Sequence, residues 1–414
     1  MNYPDSVRFL YALGNELKTA KFDLERIRAL LERLGSPELG PARVIHVAGT
    51  NGKGSTCAMI EAGLRAAGVS TGLYTSPHLL KPVERIRIDG EPVSPAEFSE
   101  AFDRVHGLAE QMIEEGIFDL HPSYFETVTA MAFLLFRARK VEWVVLETGL
   151  GGRLDATNVV KPSLCVLTPI DFDHEKFLGT SIEAIAAEKA GILKPGIPVV
   201  VAPQRPEAEL VIRSRAKEIG APYIAAWSAD QVTVHRRGSR IETHSHVLAC
   251  PLAGRHQVVN ALAAATALTE LGFDPSGLSG SSWPGRLERV HEQPEVILDG
   301  AHNPAGARAL ADYVDEFYKD CSPILIFGTM RDKAVDEIAG VLFPHFAEVL
   351  LTAPQEARAL APEALARVGE HGRLRICEGL EEALKMVLKQ RAPVFVSGSL
   401  FLVGEATLFF KEME

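Results

Sequence analysis

The apolar positions of this chain recur at two periods. Near the N-terminus the period is helical. Val7, Leu10, Tyr11 and Leu13 share one face, and Leu24, Ile27, Leu30, Leu31 and Leu34 share another. Residues 5–34 therefore predict two helical segments, separated by Lys21-Phe22-Asp23-Leu24 and closed by Gly35-Ser36-Pro37. A continuous apolar run, Val44–Ala48, then predicts one buried strand. Gly49, Gly52 and Gly54 break it, Lys53 sits among them, Ser55-Thr56 follow, and helical spacing resumes as far as Gly68. Further apolar runs predict strands at Thr71–Tyr74, Val141–Leu146, Leu164–Ile170 and Pro198–Ala202. Helical spacing covers 94–118, 123–139 and 181–193. Strands alternating with helices predict a parallel α/β sheet.

After 205 the pattern changes. A helix is followed by short β-like runs at Tyr223–Trp227, Val232–His235 and Val247–Cys250, which predict a small antiparallel insertion. Residues 254–272 are helical again, with Asn260 inside. The stretch 275–294 is rich in Gly, Ser and Pro and predicts a linker. Beyond it a second series of strands, at Val296–Leu298, Ile324–Phe327, Val349–Leu351, Leu374–Ile376 and Val394–Val396, predicts a doubly wound sheet. The expected division is 1–284 and 285–414, which suits a chain of 414 residues.

Composition narrows the partners. A net charge of −11 argues against a general nucleic-acid binder, whose phosphate contacts need a basic surface. The five cysteines (Cys57, Cys165, Cys250, Cys321 and Cys377) are scattered, which fits a reducing compartment and neither a disulfide framework nor a zinc cluster. The N-terminus lacks a signal peptide's basic start and apolar core, and no apolar run approaches the roughly 18 residues of a membrane span. The expectation is a cytoplasmic protein.

The stretch Val44–Thr56 carries the clearest chemistry. Strand, glycine-rich turn, lysine, hydroxyl and helix occur in the order of a phosphate-binding loop. Backbone N–H groups and a helix N-terminus face the anion there, and the lysine reaches the terminal phosphates. Gly54 departs from the usual pattern by separating Lys53 from Ser55. Glu147 ends a buried strand, where a carboxylate can hold Mg2+ directly or through water. Asp171-Phe172-Asp173-His174-Glu175 gathers acids and a histidine at the expected same sheet edge. Ser76-Pro77-His78 also follows a strand, where open sheets place ligand groups. Glu126 lies in a first helical turn, where it favours the helix dipole, and Lys189 lies on the 181–193 helix. In the second domain Asp299 and His302 follow the first strand. Together these residues predict an enzyme that closes over ATP and Mg2+ to activate a second substrate, a transferase or ligase.

These same residues resemble the Mur ligase superfamily, and within it the folylpolyglutamate synthase/dihydrofolate synthase family. The matching blocks are VAGTNGKGST at 47–56, YTSPHL at 74–79, SYFE at 123–126, LETGLGGRLDATN at 146–158, DFDHEKFLG at 171–179 and EKAGILKPG at 188–196. NALAA at 260–264, PGRLE at 284–288, DGAHNP at 299–304 and GSLFLVGE at 398–405 complete them. The resemblance spans nearly the whole chain, and LGGRLDATN and DGAHNP point to the folate branch.

The resemblance implies a P-loop ATPase-like Mur ligase central domain and a C-terminal Rossmann-like domain. It implies that ATP phosphorylates a carboxylate of folate or dihydropteroate, and that L-glutamate attacks the acyl phosphate. Asn51, Gly52, Lys53, Gly54 and Ser55 would cradle ATP, with Asn260, Arg286, Asp299 and His302 completing the nucleotide site. One Mg2+ would be held through Ser76 and Glu147, and a second would involve His174 and a carbamylated Lys189. Lys53, His174 and Lys189 would be the catalytic set. Pterin-side contacts would come from Ser123, Tyr124, Phe125 and Glu126, from Leu154, Asp155 and Ala156, and from the region of Asp23–Glu25. There the chain reads KFDLERI, where the family more often has a glycine beside the leucine.

Two other readings stand beside this one. A Mur-type ligase could act on another carboxylate, such as a cell-wall precursor. A non-catalytic ATP-binding switch would bind nucleotide without glutamate-dependent turnover. The motifs serve chemistry shared by both acceptors, so they do not choose between dihydropteroate and reduced folate. A monomer is expected.

Overall fold

Eight strands form one sheet in the order β4-β3-β2-β5-β1-β6-β7-β8, with β1 Arg43–Ala48, β2 Thr71–Tyr74, β3 Ile86–Ile88, β4 Glu91–Pro92, β5 Trp143–Glu147, β6 Leu164–Leu167, β7 Val199–Val201 and β8 Tyr223–Ala225. The run from β2 to β8 is parallel, and β3 and β4 add an antiparallel edge. The computed structural model describes residues 1–13, 24–368 and 371–413. Asp23, part of one expected substrate-binding region, lies outside the described residues.

The continuous apolar runs of β1, β5, β6 and β7 follow from helices packing on the sheet. One core joins Val44, Val144 and Leu146 to α1 (Tyr3–Ala12), α2 (Glu25–Arg33), α4 (Pro95–Glu114) and α5 (Tyr124–Arg139). Another joins Cys165, Leu167, Val199 and Val201 to α7 (Ile182–Ala190) and α8 (Pro206–Ile219). The helix after β1 is α3 (Lys53–Ala66), buried along most of its length, and the one-turn α6 (Glu175–Leu178) precedes α7. The glycine of β2, Gly72, lies where an added Cβ would strike the ring of Phe136 on α5.

The chain divides into two compact units, Met1–Ser228 with Val259–Ser281 and Ala229–Val258 with Ser282–Glu414. The helix α9, Arg255–Glu270, gives its first residues to the second unit and the rest to the first. The second unit holds the antiparallel strands β9 (Gln231–His235), β10 (Gly238–Glu242) and β11 (Val247–Cys250). It also holds β12 (Glu288–Glu292), β13 (Glu295–Leu298), β14 (Ile324–Phe327), β15 (Glu348–Leu351), β16 (Leu374–Ile376) and β17 (Val394–Ser397) in the order β12-β13-β17-β14-β15-β16. All neighbours in this sheet are parallel except β12 and β13. Its core is built from β13, β14, β15, β17 and the helices α10 (Pro304–Phe317) and α11 (Val335–Leu342).

Three sequence expectations change. Tyr223–Ala225 belongs to the main sheet as β8, parallel to β7, and not to the antiparallel insertion. The insertion's middle strand is Gly238–Glu242, a GSRIE stretch with one strongly apolar residue, Ile241, and hence almost no alternation to read. The expected linker is partly structured: Pro275–Gly280 forms a 3-10 turn and Glu288–Glu292 pairs with β13. Among the described residues no helix is long and apolar enough to cross a membrane.

Candidate active site

The strand ends of the first unit converge on the turn after β1. Gly52 caps α3 with φ +84°, and an added Cβ there would collide with the side-chain amide of Asn260 on α9. Glycine is therefore required twice, by conformation and by space. Thr50 and Asn51 donate their backbone N–H groups to the carbonyl of Pro169, and the Thr50 hydroxyl donates to the carbonyl of Asp171 at 2.9 Å. The turn is thus tied to the end of β6. Lys53, Gly54 and Ser55 open α3, where backbone N–H groups have no intrahelical acceptor and favour an anion. The Lys53 ammonium donates to the carbonyl of Thr50 at 3.3 Å, which folds it over the turn.

Lys189, on α7, is almost wholly buried and donates to the carbonyl of Gly49 at 2.8 Å. Burial pushes it down to about 7, Lys53 adds to this, and Asp173 and Asp155 oppose it. Its position follows from how the 149–158 turn packs on α7. The turn 149–158 lies on the C-terminal end of α7, and a Cβ at Gly152 would strike the carbonyls of Glu188 and Lys189. Asn158 donates to the carbonyls of Arg153 and Gly191 at 2.9 and 3.1 Å, and Arg153 pairs with Glu188 at 2.8 Å.

Glu147 ends β5, is buried, and accepts from the backbone N–H of Ser76 at 3.0 Å. This joins two of the expected metal-binding residues. His174 sits at φ +54° before α6, beside Asp173, with Nε2 3.8 Å from Oδ1.

Several of the expected substrate-side residues have structural partners. Ser123 and Glu126 form a capping box at the start of α5. Glu126 also accepts two hydrogen bonds from Arg26 Nε and one from Nη2, the shortest 2.6 Å, with both side chains largely buried. The Phe125 ring fills the space that a Cβ on Gly149 would need, and the Tyr124 ring stacks on Tyr11 at 5.9 Å. Asp155 receives the N–H groups of Gly149 and Leu150 on one oxygen and the Thr157 N–H and hydroxyl on the other. Burial pushes its carboxyl up while these bonds oppose that rise. These bonds hold the turn that contains Leu154 and Ala156.

Sequence reading passed over His46. It sits in the apolar run of β1, fully buried, with Nε2 2.8 Å from the Thr157 hydroxyl. That hydroxyl donates to Asp155, so the imidazole donates to the hydroxyl and carries its proton on Nε2. Burial and then Lys194 push His46 down to about 3, which keeps it neutral. Arg26 was missed for the same reason: its partner is remote in sequence. A strand-interior histidine and an arginine in an amphipathic helix carry no local signal.

In the second unit, Asp299 follows β13 and accepts the N–H groups of Leu287 and Ala301, each at 3.0 Å. Burial pushes its carboxyl up and Arg286 opposes this. A Cβ on Gly300 would strike the Arg286 guanidinium and Leu400. His302 donates from Nδ1 to the carbonyl of Gly300 at 2.8 Å, and Asn303 caps α10 by accepting from Gly306.

Comparison with known proteins identifies the family. Residues 94–268 match the Mur ligase middle domain, and residues 285–400 match the Mur ligase glutamate ligase domain. The chain is 37% identical to a folylpolyglutamate synthase of Lacticaseibacillus casei, over 98% of this chain and 97% of that protein. It is 36% identical to a dihydrofolate synthase/folylpolyglutamate synthase of Bacillus subtilis, over 92% and 93%. The structure of Mycobacterium tuberculosis folylpolyglutamate synthase complexed with ADP and AMPPCP superposes with a TM-score of 0.91 at 32% identity, covering 99% of both chains.

Proposed function

The chain belongs to the folylpolyglutamate synthase/dihydrofolate synthase family of Mur ligases, and from that membership we infer its reaction. It is an ATP-dependent ligase that adds L-glutamate to folate or dihydropteroate. ATP phosphorylates the acceptor carboxylate, the glutamate amine displaces phosphate, and an amide, ADP and phosphate result. One observation carries this reading to the residues: the glycine turn of β1 opens α3 with Lys53 folded over it and Lys189 buried against its first carbonyl.

The residue roles are proposals. Because Thr50 and Asn51 spend their N–H groups on Pro169, the phosphate donors are the N–H groups of Lys53, Gly54 and Ser55, with Lys53 neutralising charge. Asn51 and Gly52 shape the turn, and Asn260 supports Gly52 from α9. Arg286, Asp299 and His302 are assigned to the nucleotide from the family resemblance alone. Phe125, Leu154 and Ala156 face the acceptor, while Ser123, Tyr124, Glu126 and Asp155 order the segments that carry them.

Buried Glu147 and the Ser76 segment fit a hard dication by their oxygen chemistry. Mg2+ supplies charge neutralisation on the transferring phosphoryl group. Lys189 fits a metal only after modification, since an ammonium has no lone pair. A buried amine lowered to about 7 is available in its neutral form, which adds to CO2 and releases a proton to give a carbamate. His174 and this carbamate are our proposed second Mg2+ ligands. A monomer in the cytoplasm is proposed alongside; the free state of all five cysteines supports a reducing compartment, and light scattering tests the monomer.

Lys53→Ala tests the assignment. Turnover is expected to fall on the order of a hundredfold or more with the fold intact by circular dichroism. Unchanged turnover removes the phosphate-loop role.

A further inference from the structure

His106, Glu110 and His121 stand apart from the residues assigned above. His106 and Glu110 are one turn apart on α4, and His121 lies in the segment joining α4 to α5. Nδ1 of His106 is 3.1 Å from Nε2 of His121 and 3.8 Å from Oε1 of Glu110, and one ligand atom of each residue lies within 4.8 Å of the others. A tetrahedral zinc ion with ligands at about 2.0–2.1 Å has ligand-to-ligand edges of about 3.3 Å. The 3.1 and 3.8 Å separations bracket that edge.

A second observation concerns orientation. His121 Nδ1 is 2.9 Å from the carbonyl of Pro122, which can only accept. The proton is therefore on Nδ1, and Nε2 presents its lone pair to the other two groups. A backbone carbonyl fixing the far nitrogen is the usual support for a metal-binding histidine. Phe9 and Phe102 pack on the His106 ring at 4.4 and 5.3 Å between centroids, which supplies an apolar wall.

We propose that His106 Nδ1, Glu110 Oε1 and His121 Nε2 form a binding site for a zinc-type transition-metal dication, independent of the nucleotide-linked Mg2+. Nitrogen ligands favour such ions over Mg2+. Without metal, His106 Nδ1–H donates to His121 Nε2. Metal binding at Nδ1 takes the His106 tautomer that carries its proton on Nε2. Water completes the coordination. The bound ion pins the second half of α4 to Pro122, directly before the Ser123 cap of the acceptor-side helix α5.

The test is Zn2+ titration of the full chain in excess Mg2+, which occupies the nucleotide-linked sites, with Co2+ absorbance as a second readout. One Zn2+ per chain and visible tetrahedral Co2+ bands are expected. Glu110→Gln removes a half-exposed side chain, and His106→Gln/His121→Gln removes both imidazoles. Zn2+ affinity is expected to fall about tenfold or more in the first and further in the second, by analogy with ligand-support losses of about 10–100-fold. No Zn2+ uptake by the wild type, or wild-type affinity in Glu110→Gln or in the double variant, overturns the proposal and leaves a simple histidine–histidine hydrogen bond.

Discussion

At Lys189 burial and charge act in opposite directions. Desolvation and Lys53 disfavour the ammonium, while Asp173 and Asp155 favour it, and burial wins. With the folded amine lowered to about 7 from 10.5, the folded chain binds fewer protons than the unfolded chain between those values. Its contribution to stability is complete above the unfolded value and is lost as pH falls through about 7. The same protonation removes the nucleophile for CO2. Bicarbonate-dependent activity is expected to rise as pH increases through about 7 and to vanish below it. Lys189→Ala is expected to be inactive and partly rescued by a small carboxylate; full activity without rescue would remove the carbamate. His46 makes a different kind of prediction. His46→Leu leaves the buried Thr157 hydroxyl without its donor, at a cost of roughly 1–3 kcal/mol by thermal unfolding. Because the Asp155 turn then loosens, KM for the acceptor is expected to rise several-fold while KM for ATP stays fixed. An unchanged acceptor KM would confine His46 to packing.

At the scale of elements, the α2–α5 tie is the sharpest case. Arg26 and Glu126 are both largely buried and joined by three hydrogen bonds, with Glu126 also closing the α5 cap. Arg26→Ala leaves a buried carboxylate unpaired and is expected to destabilise the chain by roughly 3–5 kcal/mol, whereas Arg26→Met/Glu126→Leu should recover part of that loss. Equal melting of the single variant and wild type would contradict it. Elements were legible where one period ran unbroken. The β1 run and the strongly apolar α5 could be read directly, because each depends on near neighbours. β8 was misplaced because a three-residue strand has no intrinsic partner preference; its pairing with β7 is decided by the α8 crossover. β10 and β12 are polar edge or insertion strands whose register comes from their partners.

For the whole molecule, the sheet edge that gathers Gly49, Lys53, Ser76, Glu147 and Asp173 could be anticipated because all follow parallel strands or open the next helix. What the sequence could not show was the support beneath it: Gly152 against α7 and His46 beneath Thr157. Those are contacts between residues far apart in sequence, and no local pattern encodes them. The most direct measurement is phosphate release from ATP, dependent on both L-glutamate and Mg2+, with dihydropteroate and tetrahydrofolate assayed in parallel. Glutamate-dependent release with both acceptors, abolished in Lys53→Ala, is the expected result. ATP binding without glutamate-dependent release on either acceptor would contradict a folate ligase and leave a nucleotide-binding switch or a ligase for another carboxylate.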